Sequence, residues 1–156
     1  MIIRGEKVIL PLLLLGAALI GGCTTPVMDY TNLADSLRKS GATVETEKDV
    51  LFPLVSARHP IFSVAARKMT VNSENITVLE YDNEAAAEAE VKIISPDGFN
   101  FTVPPSEESE GFGAHVDWIA PPHFYQAGKI IVLYVGENQT IIDLLKSILG
   151  PQFAGG

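Results

Sequence analysis

Three side chains in the second half of the chain could bind a metal ion. His115 and Asp117 are two residues apart in a β-rich stretch, so a strand would place both on one face. Imidazole nitrogen and carboxylate oxygen together suit several divalent transition metals, and with His123 the pair would form a weak three-ligand site. The same spacing is typical of the solvent-facing side of a half-exposed strand. We favour that interpretation and predict no metal.

The stretch from Pro121 to Tyr125 is a second candidate site, because two adjacent prolines precede three ring-bearing side chains. Prolines stiffen a loop, and rigid loops that carry aromatic side chains are common binding surfaces. With two residues from nearby segments, this stretch defines a possible binding loop: Asp97, Trp118, His123, Phe124 and Tyr125. The alternative is that the rings plug the end of a sheet. We favour the plug, which makes His123 and Tyr125 structural.

Motifs of the common enzyme classes are absent from the sequence. There is no Gly-x-Ser-x-Gly elbow, P-loop, Rossmann glycine fingerprint or His-Glu-x-x-His pair. The acidic stretch Glu107–Glu110 could attract calcium, yet it lacks the alternating Asp and Asn ligands and the closing bidentate glutamate of an EF-hand. A solvated loop is the simpler interpretation. We therefore predict a protein without catalytic activity and without a cofactor.

Cys23 is the only cysteine in the chain, and its surroundings indicate covalent modification. Ahead of it lie two basic residues, Arg4 and Lys7, and an apolar run from Val8 to Ile20, which is the layout of an export signal. The segment Leu19–Cys23, with two glycines before the cysteine, resembles the lipobox of bacterial lipoproteins. In that family the thiol receives a diacylglycerol, the signal is removed, and the cysteine becomes the lipidated first residue.

The lipobox resemblance divides the chain into a signal peptide (1–22), a lipidated cysteine with a short tether (23–30) and one domain (31–156). The alternatives for the first segment are a transmembrane helix, an ordinary secretory signal and a buried strand. A membrane-spanning helix needs about 20 apolar residues, whereas Val8–Gly22 supplies 15, four of them Gly or Pro. An ordinary signal would leave a free thiol in an exported protein, which is uncommon. We therefore predict an exported protein that is held in a membrane by acyl chains on Cys23.

Charge and composition restrict the partners of the domain. Without residues 1–22 the chain has 134 residues with 9 basic and 18 acidic side chains, a net charge of −9. Phosphate backbones and anionic headgroups would repel such a chain, which argues against nucleic-acid binding. With its cysteine lipidated, the domain can form no disulfide bond. Its fold must depend on apolar burial, which a hydrophobic content of 47% allows.

Capping residues and apolar periodicity predict three helices. The first follows Asn32 as its N-cap, and the second runs from Glu84 to Ile94 after Asn83. The third follows Glu137 or Asn138 and repeats apolar side chains at helical spacing up to a Gly-Pro stop.

Alternating and β-branched residues predict the strands. Lys68–Val71 and Ile76–Tyr81 flank turn-forming residues and predict a hairpin. Lys129–Val135 is a strongly apolar strand, and His115–Ile119 is a shorter one. The stretch from 51 to 65 is apolar but contains two prolines, so we expect one or two short edge strands there.

These elements predict an α+β domain, an antiparallel sheet with two or three helices packed mainly on one face. The segments 76–94 and 130–149 look alike, so the domain could contain two β-hairpin-plus-helix units about 54 residues apart. Both of their strands are apolar on both faces and should be central. A loop, the first helix or a partner protein must then cover the second face.

A longer set of segments resembles a group of small, uncharacterised bacterial lipoproteins: Arg67–Asn72, Ser95–Gly98, Trp118–Tyr125, Gly128–Gly136 and Leu149–Gly155. The resemblance implies export and lipid anchoring but no activity. We expect a non-catalytic interaction or accessory module of the cell envelope, with membrane lipid and an envelope protein as its partners. The alternative is a small-ligand or metal-binding envelope sensor that uses the loops 96–113 and 121–125.

Overall fold

A computed structural model describes residues 27–47, 55–56, 59–107 and 110–156. The predicted signal peptide, Cys23 and the first part of the tether lie outside the described residues, and so does most of the predicted edge-strand region before residue 59. None of the helices in the described part of the chain is long and apolar enough to cross a membrane.

The described residues form three helices, α1 (Tyr30–Lys39), α2 (Glu84–Val91) and α3 (Gln139–Leu149). The predicted N-cap of α1 was wrong: the Asp29 carboxylate accepts a hydrogen bond from the backbone N–H of Asn32 at 2.8 Å. Because an N-cap oxygen reaches the amide two or three positions into the helix, the helix begins before Asn32, at Tyr30.

The predicted cap of α2 is confirmed, and of the two residues predicted to start α3, Asn138 is the N-cap. The Asn83 side chain accepts from the N–H of Ala86 at 3.0 Å, and the Asn138 side chain accepts from the N–H of Thr140 at 3.1 Å. The second helix ends at Val91, three residues earlier than predicted, since the chain then turns to form a β-bridge between Ile94 and Phe101.

The described residues also form ten strands. In chain order they are β1 (Val44–Thr46), β2 (Val55–Ser56), β3 (His59–Pro60), β4 (Ala66–Val71), β5 (Glu74–Glu80), β6 (Asn100–Val103), β7 (Phe112–His115), β8 (Pro122–Ala127), β9 (Ile130–Val135) and β10 (Ala154–Gly155). Six of them form an antiparallel sheet in the order β1-β4-β5-β9-β8-β10. The pairs β2–β3 and β6–β7 form two small separate sheets. The predicted central position of β5 and β9 is confirmed.

Two helices cover one face of the six-stranded sheet. Apolar side chains of α1 and α3 form one core cluster with alternate residues of the central strands, among them Leu37, Val78, Val132 and Leu145. All four have no exposed surface. The apolar stripes that the sequence predicted on these two helices therefore face the sheet.

The second face is covered by α2 and the β6–β7 hairpin. Ala87 of α2 and Phe101 of β6 lie in a second cluster with Leu79, Leu133 and Phe124 from the sheet. The α+β class is thus confirmed. The second apolar face of β5 and β9 is covered by α2 and the β6–β7 hairpin, two elements of the same chain.

Two hairpin-plus-helix units are present, β4–β5–α2 and β8–β9–α3, and they meet where β5 pairs with β9. If a two-fold rotation related the two units, its axis would pass between β5 and β9 along the sheet normal. Such a rotation would keep both helices on the same face of the sheet. In this fold α2 and α3 lie on opposite faces. The similarity of the two segments therefore does not extend to a symmetric arrangement.

The β4–β5 hairpin closes through a two-residue turn, Asn72-Ser73, in which both residues have positive φ (49° and 71°). Such turns match the right-handed twist of the paired strands. Asparagine adopts this conformation readily, whereas serine does so less often.

Ser73→Gly is expected to raise the free energy of unfolding by about 0.5–1 kcal/mol, because glycine avoids the steric cost of a left-handed backbone. Urea unfolding measures the change. The matched control is Ser40→Gly at the end of α1, where φ is −81° and glycine removes no such cost. An equal gain at both positions would contradict the explanation.

Candidate functional site

The stretch predicted as a binding loop forms strand β8 in the structure. It pairs with β9 on one side, from Pro122 opposite Val135 to Ala127 opposite Ile130, and with the short β10 on the other. Because strand residues alternate between faces, His123 and Tyr125 lie on the side of α1 and α3, and Phe124 lies on the opposite side. The predicted loop was wrong. A strand with neighbours on both edges can be apolar on both faces, and its sequence then lacks the alternation that marks a half-exposed strand.

Phe124 has no exposed surface and lies at the centre of an aromatic cluster. The rings of Phe101, Trp118 and Phe153 have their centroids 6.1–6.2 Å from its own. The Trp118 indole also donates a hydrogen bond to the carbonyl of Gly98 at 2.8 Å. The indole therefore fills the space between the two predicted loops.

Tyr125 is 1% exposed and points the other way, against α3. Its hydroxyl lies 3.5 Å from the carbonyl oxygen of Ile142, a long hydrogen bond. Burial, followed by the nearby charge of Asp143, raises the pKa of the Tyr125 hydroxyl. A buried phenol that remains protonated suits a structural role.

His123 is almost fully buried and contacts two polar groups. Its Nε2 donates to the carbonyl oxygen of Gly136 at 3.0 Å, since that oxygen can only accept. Its Nδ1 lies 2.8 Å from Oε1 of Gln152, and its ring stacks on Tyr134 with centroids 6.0 Å apart. The imidazole thus connects β8 to the loop after β9 and to the C-terminal segment.

The C-terminal segment is an element that the sequence did not predict. Its amides donate to three carbonyls: Phe153 to Phe124, Gly155 to Pro96, and Gly156 to Pro122, each at 2.9 Å. Gly155 has a φ of +84°, and a Cβ there would collide with the backbone of Pro122. The local sequence signal for this element is the pair Gly155-Gly156, and the same pair is common in unstructured tails.

His123→Ala should lower the free energy of unfolding by about 1–3 kcal/mol, because it leaves partly buried polar groups of Gly136 and Gln152 without the imidazole. Guanidinium unfolding measures the loss. The control is His115→Ala, whose side chain is 55% exposed and whose removal should change stability by less than about 0.5 kcal/mol. Similar small losses for both variants would mean that His123 is not a structural link.

Asp97, the remaining candidate, is exposed in a turn whose next residue, Gly98, packs close to Pro122 and Phe124 of β8. Its carboxylate accepts from the Ser95 hydroxyl, from the N–H of Phe99 at 2.9 Å and from the Asn100 amide at 3.2 Å. The Ser95 hydrogen bond, and then the backbone N–H of Phe99, lower the pKa of the Asp97 carboxyl. Asp97 therefore stays negatively charged in moderately acidic solution.

His115 and Asp117 do come together, as their spacing predicted. Nε2 of His115 lies 3.3 Å from the Asp117 carboxylate, and Nδ1 lies 2.9 Å from Oδ1 of Asn100. His123 is not part of this group, since it is buried on the opposite side of the six-stranded sheet. The described residues contain no group of three or more His, Cys, Asp or Glu side chains that could hold a metal ion.

The predicted strand His115–Ile119 ends in the structure at His115. The segment after it carries Val116 and Trp118 inward, packed on the second core cluster, and exposes Asp117 and Ile119. Ile119 is 100% exposed, and Val27 is the only other large apolar side chain classed as exposed in the described part of the chain.

A cleft of about 420 Å³ lies beside the first described residues. It is lined by Asp29, Asn83, Glu84 and Lys129, among others. The Asp29 and Asn83 oxygens already cap α1 and α2, and the Lys129 amine is 3.0 Å from the carboxylate of Glu80. Nothing in the sequence indicated that these residues meet.

No protein-family model, curated protein or solved structure matches this chain. Its function is therefore argued from its own residues.

Proposed function

We propose that this protein is exported, is anchored to a membrane by lipid on Cys23, and acts as a non-catalytic interaction module of the cell envelope. The lipobox-like segment Leu19–Cys23, with the basic and apolar residues ahead of it, supports the export and the anchor. Its partners on this proposal are membrane lipid and an envelope protein.

The position of the Trp118 indole favours an interaction module over a ligand sensor. It lies between Gly98, Phe101 and Phe124, so aromatic side chains fill the region where the sensor would have held its ligand. Small-molecule sites are concave and usually preformed. A surface region that is occupied by the protein's own side chains is better suited to contact another protein than to bind a small ligand.

The start of the described chain supports a close attachment to the membrane. The carbonyl of Val27 accepts from the Asn32 side chain at 2.9 Å, and the carbonyl of Met28 accepts from the N–H of Lys129 at 3.1 Å. Three residues separate Cys23 from Val27, and they reach at most about 14 Å when extended. Lipid on Cys23 would therefore hold the β8–β9 turn near the bilayer.

The cleft beside Val27 favours a second candidate, a sensor for a small ligand. We rank it lower because Asp29 and Asn83 each cap a helix through one side-chain oxygen and Lys129 is paired with Glu80. The basic group that lines the cleft is therefore already engaged within the protein.

Fatty-acid labelling tests the proposed anchor. Cells that express the full chain are grown with labelled palmitate, and the wild type is expected to incorporate label and to lose residues 1–22. Cys23→Ala should abolish both, while the matched variant Thr24→Ala should retain both. Normal processing of Cys23→Ala would indicate ordinary secretion, and the anchor would then be rejected.

A further inference from the structure

Ile119 is one of two large apolar side chains that are exposed in the described part of the chain, the other being Val27. It is 100% exposed, at the tip of the segment between β7 and β8. A single exposed aliphatic residue is common on protein surfaces. Two further observations make Ile119 a candidate contact residue. The fold holds the residues on both sides of it, and the neighbouring segments carry carboxylates.

The residues on both sides of Ile119 are held by the fold. Trp118 is bound through its indole N–H to Gly98 and packs against Phe124. After the tip, the carbonyl of Pro121 accepts from the N–H of Gly136 at 3.0 Å. A side chain presented by such a segment loses little conformational freedom when a partner covers it, so its burial contributes to affinity with a small entropic cost.

Acidic and aromatic groups lie on the segments next to this tip. Asp117 is 96% exposed and contacts His115, which stacks on Phe99 with ring centroids 6.2 Å apart. Asn100 connects His115 to Asp97, whose carboxylate is fixed by its own turn. These five residues, Asp97, Phe99, His115, Asp117 and Ile119, form what we call the distal surface.

The distal surface lies at the end of the sheet opposite to the tether. Strand β8 starts at Pro122, just after the Ile119 tip, and ends at Ala127, before the turn that contacts Met28. Six strand residues span about 17–20 Å. A chain anchored through Cys23 would therefore present Ile119 away from the bilayer.

We infer that the distal surface docks an envelope protein whose contact face has an apolar socket for Ile119 flanked by lysine or arginine side chains. This inference rests on the proposed function and names the surface that performs it. Burial of the isoleucine supplies the apolar contact, and Asp97 and Asp117 supply the charges that select a basic rim. Anionic lipid is a poorer occupant, because two carboxylates would face its headgroups.

Site-specific photocrosslinking in the cell that naturally produces the protein tests the inference. The full tagged chain carries p-benzoylphenylalanine at position 119 or, as the control, at Glu88, which is exposed on α2. The expected result is one protein adduct from position 119 and none from position 88. In the background Asp97→Asn with Asp117→Asn, the adduct should fall about tenfold, and high salt should reduce it in isolated membranes.

Four results would overturn the inference: no protein adduct from position 119, an equal adduct from position 88, adducts with lipid alone, or a protein adduct that is insensitive to both aspartates. Palmitate labelling of the same tagged chain shows separately whether the anchor is present. A labelled chain without an adduct refutes the docking surface, whereas an unlabelled chain with the charge-dependent adduct refutes only the anchor.

Discussion

Replacing Leu145 by alanine is expected to lower the free energy of unfolding by about 2–5 kcal/mol. Leu145 has no exposed surface and lies in the middle of α3, in the cluster that joins this helix to α1 and to the sheet. Its truncation removes buried methyl and methylene groups and leaves a cavity between three elements. Equilibrium unfolding in guanidinium chloride, followed by circular dichroism, measures the loss.

Leu144→Ala is the matched control, since it makes the same change one residue earlier on the same helix. Leu144 is only partly buried against the cluster, so its loss should be clearly smaller. Equal losses for the two variants, or a loss below about 1 kcal/mol for Leu145→Ala, would mean that α3 is peripheral to the core.

Phe124→Ala should destabilise the domain by about 3–5 kcal/mol. The ring has no exposed surface and contacts the aromatic side chains of Phe101, Trp118 and Phe153, which come from three different segments. Removing it leaves a large cavity in the second face of the sheet. Thermal and chemical unfolding should both report the loss.

Phe99→Ala serves as the comparison for Phe124→Ala. Phe99 is half-buried and stacks on the exposed His115, so its removal should cost much less. If Phe124→Ala and Phe99→Ala lost equally little stability, the region around Phe124 would be open enough to bind a ligand. The ligand-sensor function would then be favoured over the interaction module.

The elements that the sequence predicted well are those with local signals. The Asn72-Ser73 turn lies between two β-rich runs, and α3 has an N-cap, an apolar stripe and a Gly-Pro stop. Each signal lies within about ten residues of the element that it specifies. The α+β class follows from their order along the chain.

The elements that were missed depend on contacts between distant residues. Strand β8 contains Pro122 and His123, which are ordinary loop residues in a short window, and it becomes a strand because β9 and β10 pair with its two edges. β10 is two residues long and owes its position to three hydrogen bonds with segments near 96 and 122–124. No local pattern encodes such pairings.

The candidate site was predicted in part. The proximity of His115 and Asp117 follows from their spacing, but the separation of His123 from them depends on which face β8 turns toward the core. The outward direction of Ile119 follows from the same alternation, because it lies two residues after Asp117 and next to the inward-facing Trp118. Its complete exposure could not be predicted, because it depends on which distant segments pack near it.

The pairing of β5 with β9 has a consequence for how the chain folds. Both hairpins, β4–β5 and β8–β9, close through short turns and can form within microseconds. Joining them requires the ends of a segment of about 50 residues to meet, and this loop closure carries a larger entropic cost. Until it happens, each hairpin exposes an apolar strand with an unpaired edge, which is the usual starting point for aggregation. The docking of β5 on β9 is therefore the step at which we expect a newly synthesised chain to be most vulnerable.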